Sequence, residues 1–119
     1  MPWIKLASLI MFLGVALGAF GAHALRDRLD AYQLTVFKTA ALYQFIHGLG
    51  LFVVAWLSTL TADPKVFWSG VFLTVGVVLF SGSLYLLAVT GIKWLGAITP
   101  LGGLSFLIGW FLMFMAAKG

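Results

Sequence analysis

The sequence contains no cysteine, no glutamate and no asparagine, and its acidic residues are three aspartates. Without cysteine the chain has no disulfide, no thiolate nucleophile and no thiolate metal ligand. So few carboxylates leave little material for acid–base catalysis or for a site with two metal ions. The sequence therefore predicts a protein that is not an enzyme and that uses neither a metal nor a cofactor.

Charge of either sign is also scarce, because charged residues make up 8% and hydrophobic residues 63% of the 119 residues. Soluble domains carry roughly 25% charged residues, so this composition predicts an integral membrane protein. The seven basic residues are scattered along the chain rather than gathered in a patch, which argues against nucleic acid as a partner. Anionic headgroups favour basic residues beside the membrane, so membrane lipids are expected partners.

Four apolar stretches are each long enough to cross a bilayer, which takes about 20 helical residues. The predicted fold is all-α, with a single integral membrane domain over residues 1–119 and four transmembrane helices in a compact bundle. A short helix lying along the interface is expected between helices one and two, where apolar residues follow a charged run at helical spacing. The predicted transmembrane helices are about 4–25, 39–60, 64–90 and 94–117.

Prolines indicate where two of these helices begin. Asp63 is a favourable N-cap and Pro64 suits a first turn, so helix three is expected to begin near Pro64. Helix four either begins at Trp94 and bends at Pro100, or begins with Thr99 as its cap. The bent helix is the favoured prediction.

The positive charges do not predict a membrane orientation. Short loops on the cytoplasmic side usually carry an excess of lysine and arginine. Here the two sides are nearly balanced, so orientation stays open. One side would carry Arg26, Arg28, Lys38 and Lys93, and the other Lys5, Lys65 and Lys118.

Small residues form two seams at helical spacing. Helices associate in lipid largely through such residues, because they let two backbones approach closely. Either both seams pack inside the bundle, or one is left free and contacts a second copy of the chain. The seam on helix one is Gly14, Gly18 and Gly21, and the seam on helix four is Gly102, Ser105 and Gly109.

Polar residues within the membrane spans gather toward the side of the connection between helices one and two. Because an unpartnered polar group is costly in hydrocarbon, Gln44, His47, Ser81, Tyr85 and Ser105 are expected to converge in one hydrogen-bonded layer. Two further candidates lie in the same half: Tyr43 shares a face of helix two with Gln44 and His47, and His23 lies at the end of helix one. The full set of candidate ligand-binding residues is Tyr43, Gln44, His47, Ser81, Tyr85, Ser105 and His23.

His47 is the residue on which a chemical role would depend. An imidazole can relay protons or bind a metal, but a four-ligand metal site is not expected from two histidines without cysteine or an aspartate within the membrane. A serine–histidine triad also lacks a carboxylate to orient the imidazole. Four-helix multidrug exporters use a glutamate within the membrane and fluoride channels use asparagine, and this sequence contains neither. A satisfied structural histidine is therefore favoured over contact with a polar ligand or lipid headgroup, and over a proton relay.

Four stretches of the sequence resemble the signatures of one family. They are Gly18-Ala-Phe-Gly-Ala-His-Ala-Leu25, Tyr43-Gln-x-x-His47, Leu79-Phe-Ser-Gly-Ser-Leu-Tyr85 and Thr99-Pro-Leu-Gly-Gly103-x-Ser-Phe-x-x-Gly-Trp110. The chain is similar over nearly its whole length to domain-of-unknown-function family 423, small membrane proteins with a eukaryotic transmembrane branch. This resemblance implies a four-helix protein of the bacterial cytoplasmic membrane. It implies no activity, substrate or cofactor.

The function expected from these observations is a non-enzymatic one. The protein is predicted to be a small accessory component that binds lipid or protein in the membrane, through a polar layer in one leaflet. Its expected partners are membrane lipids, further copies of itself or a larger membrane complex. The alternative is a small channel or proton-linked carrier that uses the polar layer around His47.

Overall fold

The computed structural model describes residues 2–117 and confirms an all-α bundle with four helices long and apolar enough to cross a membrane. We label the helices α1 (Trp3–Leu25), α2 (Ala31–Leu57), α3 (Pro64–Thr90) and α4 (Thr99–Ala116). Helix α1 packs on α2, α2 packs on α3, and α3 packs on α4. One core lies among the four helices, and Lys118 lies outside the described residues.

The predicted interfacial helix is wrong, because the residues assigned to it are the first turns of α2. Helix α2 begins at Ala31 rather than near residue 39. The Asp30 side chain accepts a hydrogen bond from the backbone N–H of Gln33, and the Gln33 side chain accepts one from the N–H of Asp30. This capping box fixes the helix start. Phe37, in the predicted interfacial segment, is buried in the bundle.

The predicted start of α3 is confirmed, whereas the favoured start of the fourth helix is wrong. Asp63 accepts a hydrogen bond from the N–H of Lys65, and Pro64 occupies the first turn of α3. The fourth span begins with a short 3₁₀ helix, Lys93–Ala97, and α4 then begins at Thr99. Pro100 therefore lies in a first turn, where its missing N–H costs no hydrogen bond and the helix need not bend.

Two of the membrane helices contain a π-helical segment, which the sequence pattern does not predict. The segments are Ala16–Gly21 in α1 and Val77–Ser81 in α3. A π-helical turn contains one more residue than an α-helical turn, so it widens the helix locally. Both segments lie next to the close contacts that join each helix to its neighbour.

The bundle consists of two similar helical hairpins in tandem, α1–α2 and α3–α4. Helix α1 aligns with α3 when Gly14 is matched to Gly76, and α2 aligns with α4 when Phe45 is matched to Phe106. The matched residues that are identical are Pro2/Pro64, Gly14/Gly76, Val15/Val77, Leu17/Leu79, Leu25/Leu87, Phe45/Phe106, Gly48/Gly109, Leu51/Leu112 and Ala55/Ala116.

The contacts within the two hairpins match as well as the residues do. In each hairpin a phenylalanine lies over a glycine, and small residues bring the two helices together. The matched contacts are Phe45 on Gly14 and Phe106 on Gly76, Ala41 on Gly18 and Gly102 on Phe80, and Gly48 on Met11 and Gly109 on Leu73. We infer from this agreement that the chain is an internal repeat.

Both glycine seams face neighbours within the same chain. Gly14 and Gly18 lie against Phe45, and Gly21 lies against Phe37. On α4, Gly102 lies against the backbone of Phe80, and the remaining members of that seam contact α3 in the same way. The glycines of both seams are therefore used for packing inside the bundle.

Candidate functional site

A short chain of hydrogen bonds joins α3, α2 and α1. The Tyr85 hydroxyl donates to Gln44 Oε1 at 2.6 Å, and Gln44 Nε2 donates to the backbone carbonyl of Ile10 at 2.9 Å. Gln44 is buried, so its amide has no access to bulk solvent. The amide therefore connects three helices through one side chain.

Serine hydroxyls make further links, each to a backbone carbonyl of the neighbouring helix. Ser81 donates to the carbonyl of Ala40 at 2.8 Å, and Ser105 donates to the carbonyl of Phe72 at 2.6 Å. Ser81 and Ser105 therefore bond to backbone carbonyls and not to the other side chains of the predicted layer. Within the predicted layer only Gln44 and Tyr85 bond side chain to side chain, since a helix-interior carbonyl has a second lone pair that a nearby hydroxyl can use.

The Ser105 link matches the Gln44 link in the internal repeat. Gln44 reaches the carbonyl of Ile10 in the first hairpin, and Ser105 reaches that of Phe72 in the second. A further link, which sequence reasoning did not single out, runs from Ser69 to the carbonyl of Gly109 at 2.8 Å. The signal that could have found it is a lone serine among apolar residues.

His47 is buried and does not face the acyl chains. Its Nδ1 lies 2.7 Å from the backbone carbonyl of Tyr43, so Nδ1 carries the proton and donates. Its ring stacks on that of Phe106, with centroids 3.5 Å apart. The ring centroids of His47 and Trp110 are 5.6 Å apart. This position is roughly 13 Å beyond Lys38 along α2, at 1.5 Å per residue.

The second nitrogen of His47, Nε2, has no hydrogen-bond partner among residues 2–117. Over the same residues, every fully buried side-chain nitrogen or oxygen has a partner. Nε2 must therefore reach the surface of the bundle to a small extent. It is a buried candidate group for proton exchange that the hydrogen bonds described above leave unused.

Two of the predicted residues do not join the layer by hydrogen bonds. The Tyr43 ring packs on Phe80, with centroids 4.4 Å apart, and is partly exposed on the bundle surface. His23 is exposed near the end of α1. The prediction for His23 rested only on its residue type and on its half of the membrane.

The outer surface between α1 and α2 carries an apolar groove of about 470 Å³. Its lining includes the small residues Gly18, Ala19 and Ala41 and one charged residue, Lys38. The remaining lining residues are Val15, Phe37, Leu42 and Phe45. The buried hydrogen-bonding residues Gln44, Ser81 and Ser105 do not line this groove.

Comparison with known families identifies the chain as a member of one of them. A family model described as protein of unknown function, DUF423, matches residues 17–103. The chain belongs to the DUF423 family. The match includes Gln44, Ser81 and Tyr85, whereas Ser105 lies just beyond it. No solved structure matches the chain.

DUF423 relatives cover nearly the whole chain. A UPF0382 membrane protein of Staphylococcus epidermidis is 46% identical over 96% of this chain and 93% of its own length. The UPF0382 membrane protein YwdK of Bacillus subtilis is 47% identical over 97% of this chain and 94% of its own length. The UPF0382 inner membrane protein YgdD of Escherichia coli is 42% identical over 93% of this chain and 85% of its own length.

These findings confirm the family resemblance, the fold class and the location. This DUF423 chain is a multi-pass protein of the bacterial cytoplasmic membrane, in a family of unknown function. Neither the family description nor the names of these relatives states a ligand, a substrate or a reaction.

Proposed function

We propose that this protein is a non-enzymatic binding component of the membrane, whose α1–α2 groove accepts a transmembrane helix of a partner. The observation that carries the proposal is the groove itself, an apolar recess of about 470 Å³ whose lining includes Gly18 and Ala19. Helices in lipid associate by close packing across small residues, so such a lining suits a helix.

The use of the polar residues supports the same proposal. Gln44, Ser81 and Ser105 each donate a hydrogen bond to a backbone carbonyl of a neighbouring helix. Their amide and hydroxyl groups therefore stabilise the scaffold rather than line a path for solutes. A rigid scaffold with an apolar surface recess is the arrangement expected of an accessory protein that holds a partner.

A lipid acyl chain is the competing occupant of the groove. Lys38 lines it and could attract an anionic headgroup, while the apolar lining could take the acyl chain. A photoreactive diazirine side chain introduced at Leu42 in the native bacterial membrane separates the two occupants. Leu42 lines the groove, and Leu49, equally exposed on α2 but outside the groove lining, is the matched control position.

We expect the probe at Leu42 to form adducts with a protein, which mass spectrometry maps to a membrane helix. The probe at Leu49 should give mainly phospholipid adducts, because it faces the acyl chains. Phospholipid adducts alone at both positions would contradict the proposal and assign the groove to lipid.

A proton-linked carrier is the second candidate function, favoured by the His47 Nε2 that has no partner within residues 2–117. An imidazole lone pair deep in the membrane is a feature of proton relays. The test is flux across proteoliposome membranes as a function of pH. Solute flux that depends on pH and is lost in His47→Ala would establish the carrier, and its absence for both proteins would reject it.

A further inference from the structure

The α1–α2 groove has a counterpart in the second hairpin, and there the recess is filled. In the internal repeat, three residues that line the groove match three residues of the α3–α4 hairpin. The matched pairs are Gly18 with Phe80, Ala19 with Ser81, and Phe45 with Phe106. The exposure of the two surfaces differs accordingly, since Val15 at the groove is 51% exposed and its match Val77 is 7% exposed.

Helix α2 is what fills the second recess. Ser81 donates a hydrogen bond to the carbonyl of Ala40 at 2.8 Å, which fixes one turn of α2 on the second hairpin. Two ring contacts continue along the same face of α2. They are Tyr43 on Phe80, with centroids 4.4 Å apart, and His47 on Phe106, with centroids 3.5 Å apart.

The helix that corresponds to α2 in the repeat is α4, and its matching face is exposed. Three of the residues of α2 that contact the second hairpin are Ala40, Tyr43 and His47, and their matches on α4 are Leu101, Leu104 and Ile108. The two leucines are 58% and 55% exposed. The chain therefore has an open α1–α2 groove on one side. On another side it exposes Leu101 and Leu104 of α4, the helix that the repeat predicts to fit such a groove.

We propose that the α1–α2 groove of one copy binds α4 of a second copy, which repeats between molecules the contact of α2 with the α3–α4 hairpin. The proposal rests on the proposed function and names its partner. Both hairpins cross the membrane in the same direction, so copies joined in this way share one orientation. Such a contact joins two different surfaces, so copies repeated about an axis normal to the membrane form a ring when the rotations add up to a full turn.

The expected contacts are apolar. Ala19 takes the place of Ser81, so the hydrogen bond to α2 has no equivalent between copies, and Leu101 and Leu104 pack on Gly18 and Ala19 instead. Association in lipid by van der Waals packing over small residues is the usual mode for membrane helices. The assembly is therefore expected to be held by close packing rather than by polar groups.

Disulfide crosslinking tests the proposed pair directly, because the chain has no cysteine of its own. Two single-cysteine variants, Ala19→Cys and Leu101→Cys, carry different affinity tags and are reconstituted together in phospholipid vesicles. A disulfide requires Cβ atoms about 3.5–4.5 Å apart, so mild oxidation reports close contact only. We expect a shift from the mass of one chain to that of two, with both tags in the product.

Two controls separate a specific contact from random collision. Val78→Cys, on the exposed side of α3, replaces Ala19→Cys in the first control and should give no mixed-tag product. In the second, Leu42→Trp added to the Ala19→Cys chain fills the groove and should abolish the product. Leu49→Trp, at the matched exposed position on α2, should leave it unchanged.

The outcomes distinguish the two proposals. Absence of the mixed-tag product, or dimers formed by Ala19→Cys alone, would overturn the contact of groove with α4. If the photoreactive probe at Leu42 still labels a helix of a different protein, the proposed function stands with another partner. Phospholipid adducts at Leu42 together with no mixed-tag product would reject both proposals.

Discussion

Replacing Gly102 with alanine is expected to destabilise the bundle by more than about 3 kcal/mol, at or beyond the upper end for an overpacked core. A Cβ atom at Gly102 would meet the backbone nitrogen and Cα of Phe80, neither of which can move aside by a change of rotamer. The added methyl group must push α4 away from the π-helical segment of α3. Loss of contact along this pair of helices is the physical reason for so large an effect.

Gly103→Ala is the matched control for this prediction. A Cβ atom at Gly103 would have Phe80 Cδ2, at 4.0 Å, as its nearest neighbour, which is ordinary contact. The change should be neutral or stabilise the helix by up to about 1 kcal/mol, because alanine has the higher helix propensity. Unfolding of both variants in detergent micelles, followed by circular dichroism, measures the difference. Equal stabilities would contradict the close approach of α4 to α3 at Gly102.

The second large effect is expected when Gln44 is replaced by leucine. The leucine keeps most of the volume but removes the acceptor of the Tyr85 hydroxyl and the donor to Ile10. A polar group left without a partner costs about 1–3 kcal/mol, although single hydrogen bonds in membranes average about 0.6 kcal/mol. We expect Gln44→Leu to lower the free energy of unfolding by about 1–2 kcal/mol.

A double-mutant cycle separates the hydrogen bond from packing. Tyr85→Phe removes the hydroxyl that Gln44→Leu leaves without an acceptor, so the double variant should be less destabilised than the sum of the two single variants. The free energies of unfolding of all four proteins, measured in the same micelles, give the coupling. Additive effects would mean that the Tyr85 hydroxyl and the Gln44 amide do not interact.

The number of helices and several of their ends follow from the sequence, because these depend on local chemistry. Apolar length identifies four spans, and Asp63 followed by Pro64 identifies the start of α3. The start of α2 was harder to predict, since charged residues next to an apolar pattern also occur in interfacial helices. Asp30 and Gln33 form a capping box at this position. Their spacing in the sequence is a signal from which the correct start could have been predicted.

Features that depend on contacts between helices could not be predicted in this way. The π-helical segments have no characteristic residue pattern of their own, and they lie where Gly18 and Gly102 bring neighbouring helices together. The polar residues were correctly assigned to the interior for Gln44, Ser81 and Ser105. Their hydrogen-bond partners could not be predicted, because every residue has a backbone carbonyl. Only the packed structure shows to which carbonyl a hydroxyl or amide donates.

The internal repeat was missed because few of its matched residues are identical. Gln44 matches Ser105 and Gly18 matches Phe80, so the residue types change while the contacts persist. A close contact needs one small residue, and either helix can supply it. Ala41 lies on Gly18 in the first hairpin, and Gly102 lies on Phe80 in the second.

The central claim is that the buried polar groups link helices in a dry interior. Water-edited solid-state NMR of the protein in lipid vesicles, with glutamine side chains labelled with ¹⁵N, tests it most directly. The chain has two glutamines, and Gln33 lies in the first turn of α2 at the polar end of the bundle, which makes it an internal reference. We predict rapid transfer of water magnetisation to the Gln33 amide and little to Gln44. Equally rapid transfer to both amides would contradict the claim and indicate a water-filled path.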